Sequence, residues 1–133
     1  MTDNIAVDLV NAFGNPEAMM EYLADDVTWT LPDSLQEVGG TREGKAAVLA
    51  MMQNIFGAIY VPATVKVTIH QALKDGNQAA VRFNLKAVAT FGVNYNNEYS
   101  LFVHTRNGKI TGVWEYIDSL GAQQQFEAQQ TPG

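Results

Sequence analysis

The chain contains no cysteine, so it can build no disulfide framework, zinc-thiolate site or thiol nucleophile. Basic residues are scarce: eight Lys and Arg stand against fourteen Asp and Glu, a net charge of −6. Without clustered Lys and Arg there is no electrostatic footprint for nucleic acid, and that class of partner is excluded. Gly and Pro, at 11 and 4 of 133 residues, are not in excess, and a hydrophobic content of 47% is ordinary, which excludes disorder for most of the chain. The only two histidines, His70 and His104, lack paired spacing, so no metal site is expected. The first ten residues carry Asp3 and Asp8 in place of a basic segment. They do not read as a secretory signal, and a cytoplasmic location is the expectation. A spanning segment is missing as well. The uncharged stretch Ala46 to Val65 is interrupted by Gln53, Asn54, Gly57 and Pro62. Its strongly apolar positions, 48, 51, 52, 55, 56 and 59, fall on one helix face, so no membrane partner is read.

What is present is one domain's length of patterned chain. Ile5, Ala6, Leu9, Val10 and Phe13 recur at helical spacing until Gly14. Asn15-Pro16-Glu17 restarts a helix, with Asn as cap and Pro at the first position, running to about Leu23. Asp25-Asp26 reads as a turn into a short strand, Val27 to Leu31, closed by Pro32. Residues 33–44 read as loop, and about 45–58 as a third helix. Strands follow: Thr64 to Leu73, Ala79 to Phe91, Tyr95 to Thr105 and Lys109 to Asp118. Asp75-Gly76, Gly92 and Asn107-Gly108 mark the turns between them. Helices first and a meander after them predict an α+β domain with three helices on one face of a curved sheet. A single domain over 1–120 is expected, with 121–133 as a short Gln-rich helix and loose tail.

Tyr22-Leu23-Ala24-Asp25-Asp26-Val27, Gly44-Lys45-Ala46-Ala47-Val48, Tyr95-Asn96-Asn97-Glu98-Tyr99, Gly108-Lys109-Ile110 and Trp114-Glu115-Tyr116-Ile117-Asp118 stand in an informative order. Together, over about residues 4–120, they resemble the SnoaL-like and ketosteroid-isomerase-like branch of the nuclear transport factor 2-like superfamily. The resemblance implies a cone-shaped fold: a curved, mainly antiparallel sheet with three N-terminal helices packed on its concave face. It also implies an apolar pocket and a homodimer. Ketosteroid isomerases place an Asp base where this chain has Leu31, a Tyr donor at about Val7 and a protonated Asp near Ser100. A Leu cannot abstract a proton and a Val cannot hydrogen-bond an enolate, so the standard steroid isomerase route is not implied. SnoaL-like polyketide cyclases carry Gly-Lys-Ile and then a Trp-Asp pair whose Asp is the acid/base; here Gly108-Lys109-Ile110 is followed at that spacing by Trp114-Glu115. Their histidine on the preceding strand falls near Leu101, three residues before His104.

Glu115 shares a strand face with Val113 and Ile117 by the period of two, and desolvation there would raise its pKa toward acid/base use. The alternative is that Glu115 faces a solvated or dimer surface, or forms an ion pair with an Arg such as Arg82. His104 shares the even-numbered face of its strand with Ser100 and Phe102. If the isomerase comparison sets the phase, that face looks into the cone and His104 could shuttle a proton with Glu115; otherwise it is a core or rim histidine. The candidate catalytic residues are therefore Glu115 and His104. The candidate substrate-binding residues are Trp29, Leu31, Ser100, Phe102, Val113 and Ile117, around a pocket of roughly 300–1,000 Å³. No cofactor and no metal is expected, and the partner is a hydrophobic small molecule. Three functions stay open: an isomerase or cyclase-type enzyme, a non-catalytic binding module for the same ligand class, and a dimeric accessory domain.

Overall fold

The computed structural model describes residues 2–130 apart from 59, 91 and 93. The helix-face position 59, the strand end at Phe91 and the last three residues of the expected tail lie outside the described residues. Asn4 caps the first helix, α1 (Ile5–Asn11), by accepting from the Ala6 amide at 3.0 Å. Asn15 caps the five-residue α2 (Pro16–Met20) in the same way, with Pro16 in its first turn. Both end earlier than their apolar spacing suggests. Leu23 is drawn into strand β1 (Leu23–Leu31), because the Ile110 amide donates to the Tyr22 carbonyl at 2.9 Å. The expected turn at Asp25-Asp26 is instead an irregularity inside that strand, between Leu23 and Thr28, with Asp26 reaching out to Arg106 at 3.0 Å.

The supposed loop over 33–44 is also structured. It holds a 3₁₀ turn, Asp33–Val38, and an edge strand, β2 (Gly40–Glu43), antiparallel to β1. The Arg42 guanidinium gathers the carbonyls of Val38, Gly39 and Gly40, which folds the segment back on itself. Gly39 is required for close approach: a Cβ there would stand 2.5 Å from the Pro32 carbonyl oxygen. Helix α3 (Lys45–Ala58) buries Val48, Met51 and Met52 and half-buries Ile55, one face at helical spacing.

Strands β3 (Lys66–Asp75), β4 (Gln78–Val88), β5 (Asn94–Arg106) and β6 (Lys109–Ile117) form the meander. Asp75 pairs with Gln78 across a two-residue turn, and Asn107-Gly108 turns with both residues at positive φ, 52° and 78°. The sheet order is β2-β1-β6-β5-β4-β3, antiparallel throughout except where β1 lies parallel to β6. It curls around Trp29, Phe83, Leu101, Leu9 and Met19, all fully buried with the helices. Helix α4 (Ser119–Gln130) begins where Asp118 Oδ1 accepts from the Gly121 amide, and it packs Ala122 back against the open end of the sheet. Among the described residues no helix is long and apolar enough to cross a membrane.

The strand phase decides the site. On β5 the odd-numbered residues Tyr95, Asn97, Tyr99, Leu101 and Val103 are buried, and the even-numbered ones face outward. Ser100, Phe102 and His104 therefore lie on the convex face, against the expectation taken from the isomerase phase. The period-two alternation explains why: the odd set carries the apolar side chains and the even set carries Asn96, Glu98 and His104. An extra residue in β6, Thr111, shifts the register there, so that Val113, Glu115 and Ile117 face inward, directly opposite Val103, Leu101 and Tyr99.

Candidate active site

Glu115 is the buried acid of the concave face, 8% exposed. The parallel pairing of β1 with β6 sets Trp29 beside Val113, and the Trp29 indole reaches along the strand to donate Nε1–H to Glu115 Oε1 at 2.9 Å. Arg82, the cation considered as its partner, is exposed on the other side of the sheet, opposite Ser100. Burial raises the Glu115 pKa from an ordinary 4.5 to about 7, and the Trp29 N–H, which favours the carboxylate, opposes part of that rise.

Glu115 opens onto a cavity of about 110 Å³ between the sheet and α3. Leu31 and Ile117 flank it, Met52 and Ile55 come from α3, Phe13 from the end of α1 and Ala122 from α4. Glu115 is the only charged side chain among the described lining residues. The cavity is smaller than the expected 300–1,000 Å³, because Phe13, Tyr60, Tyr95 and Tyr99 fill much of the cone. Larger depressions lie open at the surface, among them one of about 810 Å³ beside α1 and α2 and one of about 520 Å³ between α1 and the β3–β4 turn. Asp8, the buried acid that lines both, accepts from the Thr2 amide at 2.8 Å.

The cavity is also lined by a cluster of phenols that the candidate residues did not include. Tyr99 Oη lies 2.8 Å from Tyr95 Oη and 3.2 Å from Tyr60 Oη. Asn97 Nδ2 donates to Tyr95 Oη at 2.9 Å. Burial raises the pKa of all three phenols, and the nearby Glu115 charge raises it further, so they remain hydrogen-bond donors at neutral pH. The signal for Tyr95 and Tyr99 was in the sequence: they stand four apart on the apolar phase of one strand. Tyr60 follows α3 and carries no period of its own.

Of the sequence-derived residues, the structure brings Glu115, Trp29, Leu31, Val113 and Ile117 together on the concave side. Ser100, Phe102 and His104 instead form an outer strip with Trp114 and Tyr116. The His104 ring packs against Trp114 at 4.8 Å between centroids, and Phe102 meets Tyr116 edge-on at 6.1 Å. His70 is a surface residue joined to Glu98 at 2.9 Å. Among the described residues no group of three His, Asp or Glu side chains could hold a metal ion.

A curled six-stranded sheet closed by helices over a buried acid defines the nuclear transport factor 2-like, ketosteroid-isomerase-like class of fold. The chain belongs to the SnoaL-like domain family, whose model matches residues 7–113. It is similar in fold to a putative isomerase from Rhodopseudomonas palustris, at 20% identity and a TM-score of 0.78, over 96% of this chain and 99% of that one. It is similar to TerC co-crystallized with polyporic acid, at 15% identity and a TM-score of 0.75, over 93% and 99% of the two chains. A ketosteroid isomerase-like protein from Catenulispora acidiphila in complex with trimethylamine is also similar, at 20% identity and a TM-score of 0.71, over 87% and 86%. No curated protein matches the chain in sequence.

Proposed function

We propose that the chain moves a proton next to the carbonyl of a small, neutral, ring-sized compound. The observation that carries this reading is Glu115: a carboxyl in an apolar chamber, held by the Trp29 N–H and facing phenol donors. With a pKa of about 7 it takes a proton as the carboxylate and returns one as the acid at the same pH. Tyr99 donates a hydrogen bond to the carbonyl oxygen, where negative charge develops as the carbon proton leaves. Removing a proton at one carbon and returning it at another isomerises the compound; in ring closure the enolate carbon bonds to a second carbonyl carbon, whose C=O π electrons pass to its oxygen, and that oxygen takes the proton back from Glu115. A cavity of about 110 Å³ is smaller than the engineered cavity of about 150 Å³ that takes benzene, so the compound it holds has at most one small ring. Membership of the SnoaL-like family and similarity in fold to a putative isomerase support the reading.

The test is deuterium exchange into cyclohex-2-enone in D₂O, followed by proton NMR. Wild type should exchange the acidic C–H positions faster than buffer, and Glu115→Gln at the buffer rate. Equal exchange by the two proteins would overturn the reading.

One observation favours a second reading, a non-catalytic binding module. Glu115 has aromatic rings around it and no cation among the described lining residues, which also suits a small alkylammonium ion. The Catenulispora protein in complex with trimethylamine supports this. Trimethylammonium binding that is lost in Glu115→Gln, without ketone exchange by wild type, would favour it. We further propose that a second copy of the chain covers the outer strip, where Phe102 and Tyr116 are each 50% exposed.

A further inference from the structure

Only eight residues of the chain are basic, yet two of them stand directly across from one another on the exposed outer face of the sheet. Lys66 on β3 pairs with Lys86 on β4, and Lys86 pairs in turn with Asn96 on β5, so the three form one row across the strands. Like charges in directly opposed positions destabilise a strand pair unless something of opposite charge sits between them. Nothing in the described chain does. Neither ammonium has an ion pair or a hydrogen bond among the described residues. The next row on the same face holds Thr68, Asn84 and Glu98, and Glu98 is already engaged. Its Oε1 meets His70 Nε2 at 2.9 Å, and its Oε2 accepts from Asn84 Nδ2 at 2.7 Å.

Asn96 adds a donor to the row. A carboxylate only accepts, so Asn84 turns its Nδ2 toward Glu98, and the same nitrogen donates to Asn96 Oδ1 at 2.6 Å. The Asn96 nitrogen is left without a hydrogen bond among the described residues. Two ammoniums and this amide border a depression of about 690 Å³ where β3 begins, β4 ends and β5 begins. No carboxylate is among its described lining residues, while Ala63, Ala87 and Val88 give it an apolar side.

We propose that the row Lys66, Lys86 and Asn96 binds the phosphate of a small phosphate monoester. Such a group carries a charge of about −1.5 to −2 at neutral pH and three acceptor oxygens, which matches two cations and one neutral donor. A carboxylate has about half that charge and one oxygen fewer, and it would leave the lysine pair with a net positive charge. The apolar side of the depression receives the organic part of the ester. The proposal goes beyond the proposed function and does not rest on it, because no member of the row lines the Glu115 chamber.

Phenyl phosphate is the probe, with inorganic phosphate and benzoate beside it. Each is titrated into the nitrogen-15-labelled chain at pH 7.5 and low ionic strength, where surface charges are least screened, and the amide shifts are followed by NMR. Phenyl phosphate should give saturable shifts centred on Lys66, Lys86 and Asn96. Lys66→Gln and Lys86→Gln should each weaken its binding about tenfold, the worth of one charge-assisted hydrogen bond. Lys74→Gln, at the far end of β3, should leave it unchanged. Benzoate should bind about tenfold more weakly than phenyl phosphate. Shifts that never saturate, that weaken equally in Lys74→Gln, or that benzoate reproduces would mean screening of surface charge and would overturn the site. Inorganic phosphate should move the same amides with lower affinity, for want of the apolar contact; equal or tighter binding of the free ion would overturn the ester as the ligand. Without any ligand, Lys86→Gln should melt at or above wild type, because it removes the repulsion. A lower melt would mean that Lys86 already has a partner, and that too would overturn the proposal.

Discussion

Glu115 holds its proton more tightly in the folded chain than in the unfolded one, and this fixes the sign of its contribution to stability. Its pKa rises from about 4.5 to about 7 on folding, chiefly through burial. The contribution is fully present below about 4.5 and is lost as pH rises through about 7. At pH 8 the chamber holds a carboxylate in apolar surroundings, at a cost on the order of 3 kcal/mol. Glu115→Gln should therefore melt above wild type at pH 8 and together with it at pH 4. A variant that melts below wild type at pH 8 would mean that the charge has a partner. Glu115 was legible in the sequence because a carboxylate between Val113 and Ile117 breaks an apolar strand face, and such a break needs a reason. Its partner was not. Trp29 stands 86 residues away, and only the parallel pairing of β1 with β6 brings the indole to the acid.

At the scale of elements, the turns and helix caps were written locally and could be read locally. Asn4, Asn15, Gly76 and Asn107-Gly108 act within a few residues of themselves. Strand phase was legible too, on β5, where alternation alone puts Tyr95, Asn97 and Tyr99 inside. Borrowing the phase from ketosteroid isomerases turned that strand over and carried Ser100, Phe102 and His104 to the wrong face. A slip of one residue exchanges every side chain between core and solvent, so a distant relative is a poor guide to phase. Edge strand β2 was hidden for a different reason. Its four residues, Gly-Thr-Arg-Glu, have no apolar alternation, and the strand exists because β1 pairs with it and Arg42 ties its entry. Helix α4 reads as polar and Gln-rich, yet it closes the cavity through Ala122 and ties down β5, where Gln125 Oε1 accepts from the Asn96 amide at 2.8 Å.

The whole molecule has two faces with different work. The concave face is closed around its acid and phenols; the convex face presents Phe102, His104, Trp114 and Tyr116 as a shallow aromatic strip. For the proposed dimer, light scattering at micromolar concentration should give twice 14.5 kDa. Phe102→Lys should give the monomer, with the interface exceeding roughly 1,200 Å² in total for a stable pair. A wild-type monomer would remove the proposal and leave the inner site untouched, because no strip residue lines the cavity. The central claim concerns that inner site: one glutamate, buried without a cation, poised to exchange a proton near neutral pH. Carbon-13 NMR of the glutamate side-chain carboxyls across pH 3 to 9 measures it directly. The account predicts a carboxyl titrating near 7 that is absent from Glu115→Gln. A Glu115 carboxyl that titrates near the ordinary 4.5 would contradict it.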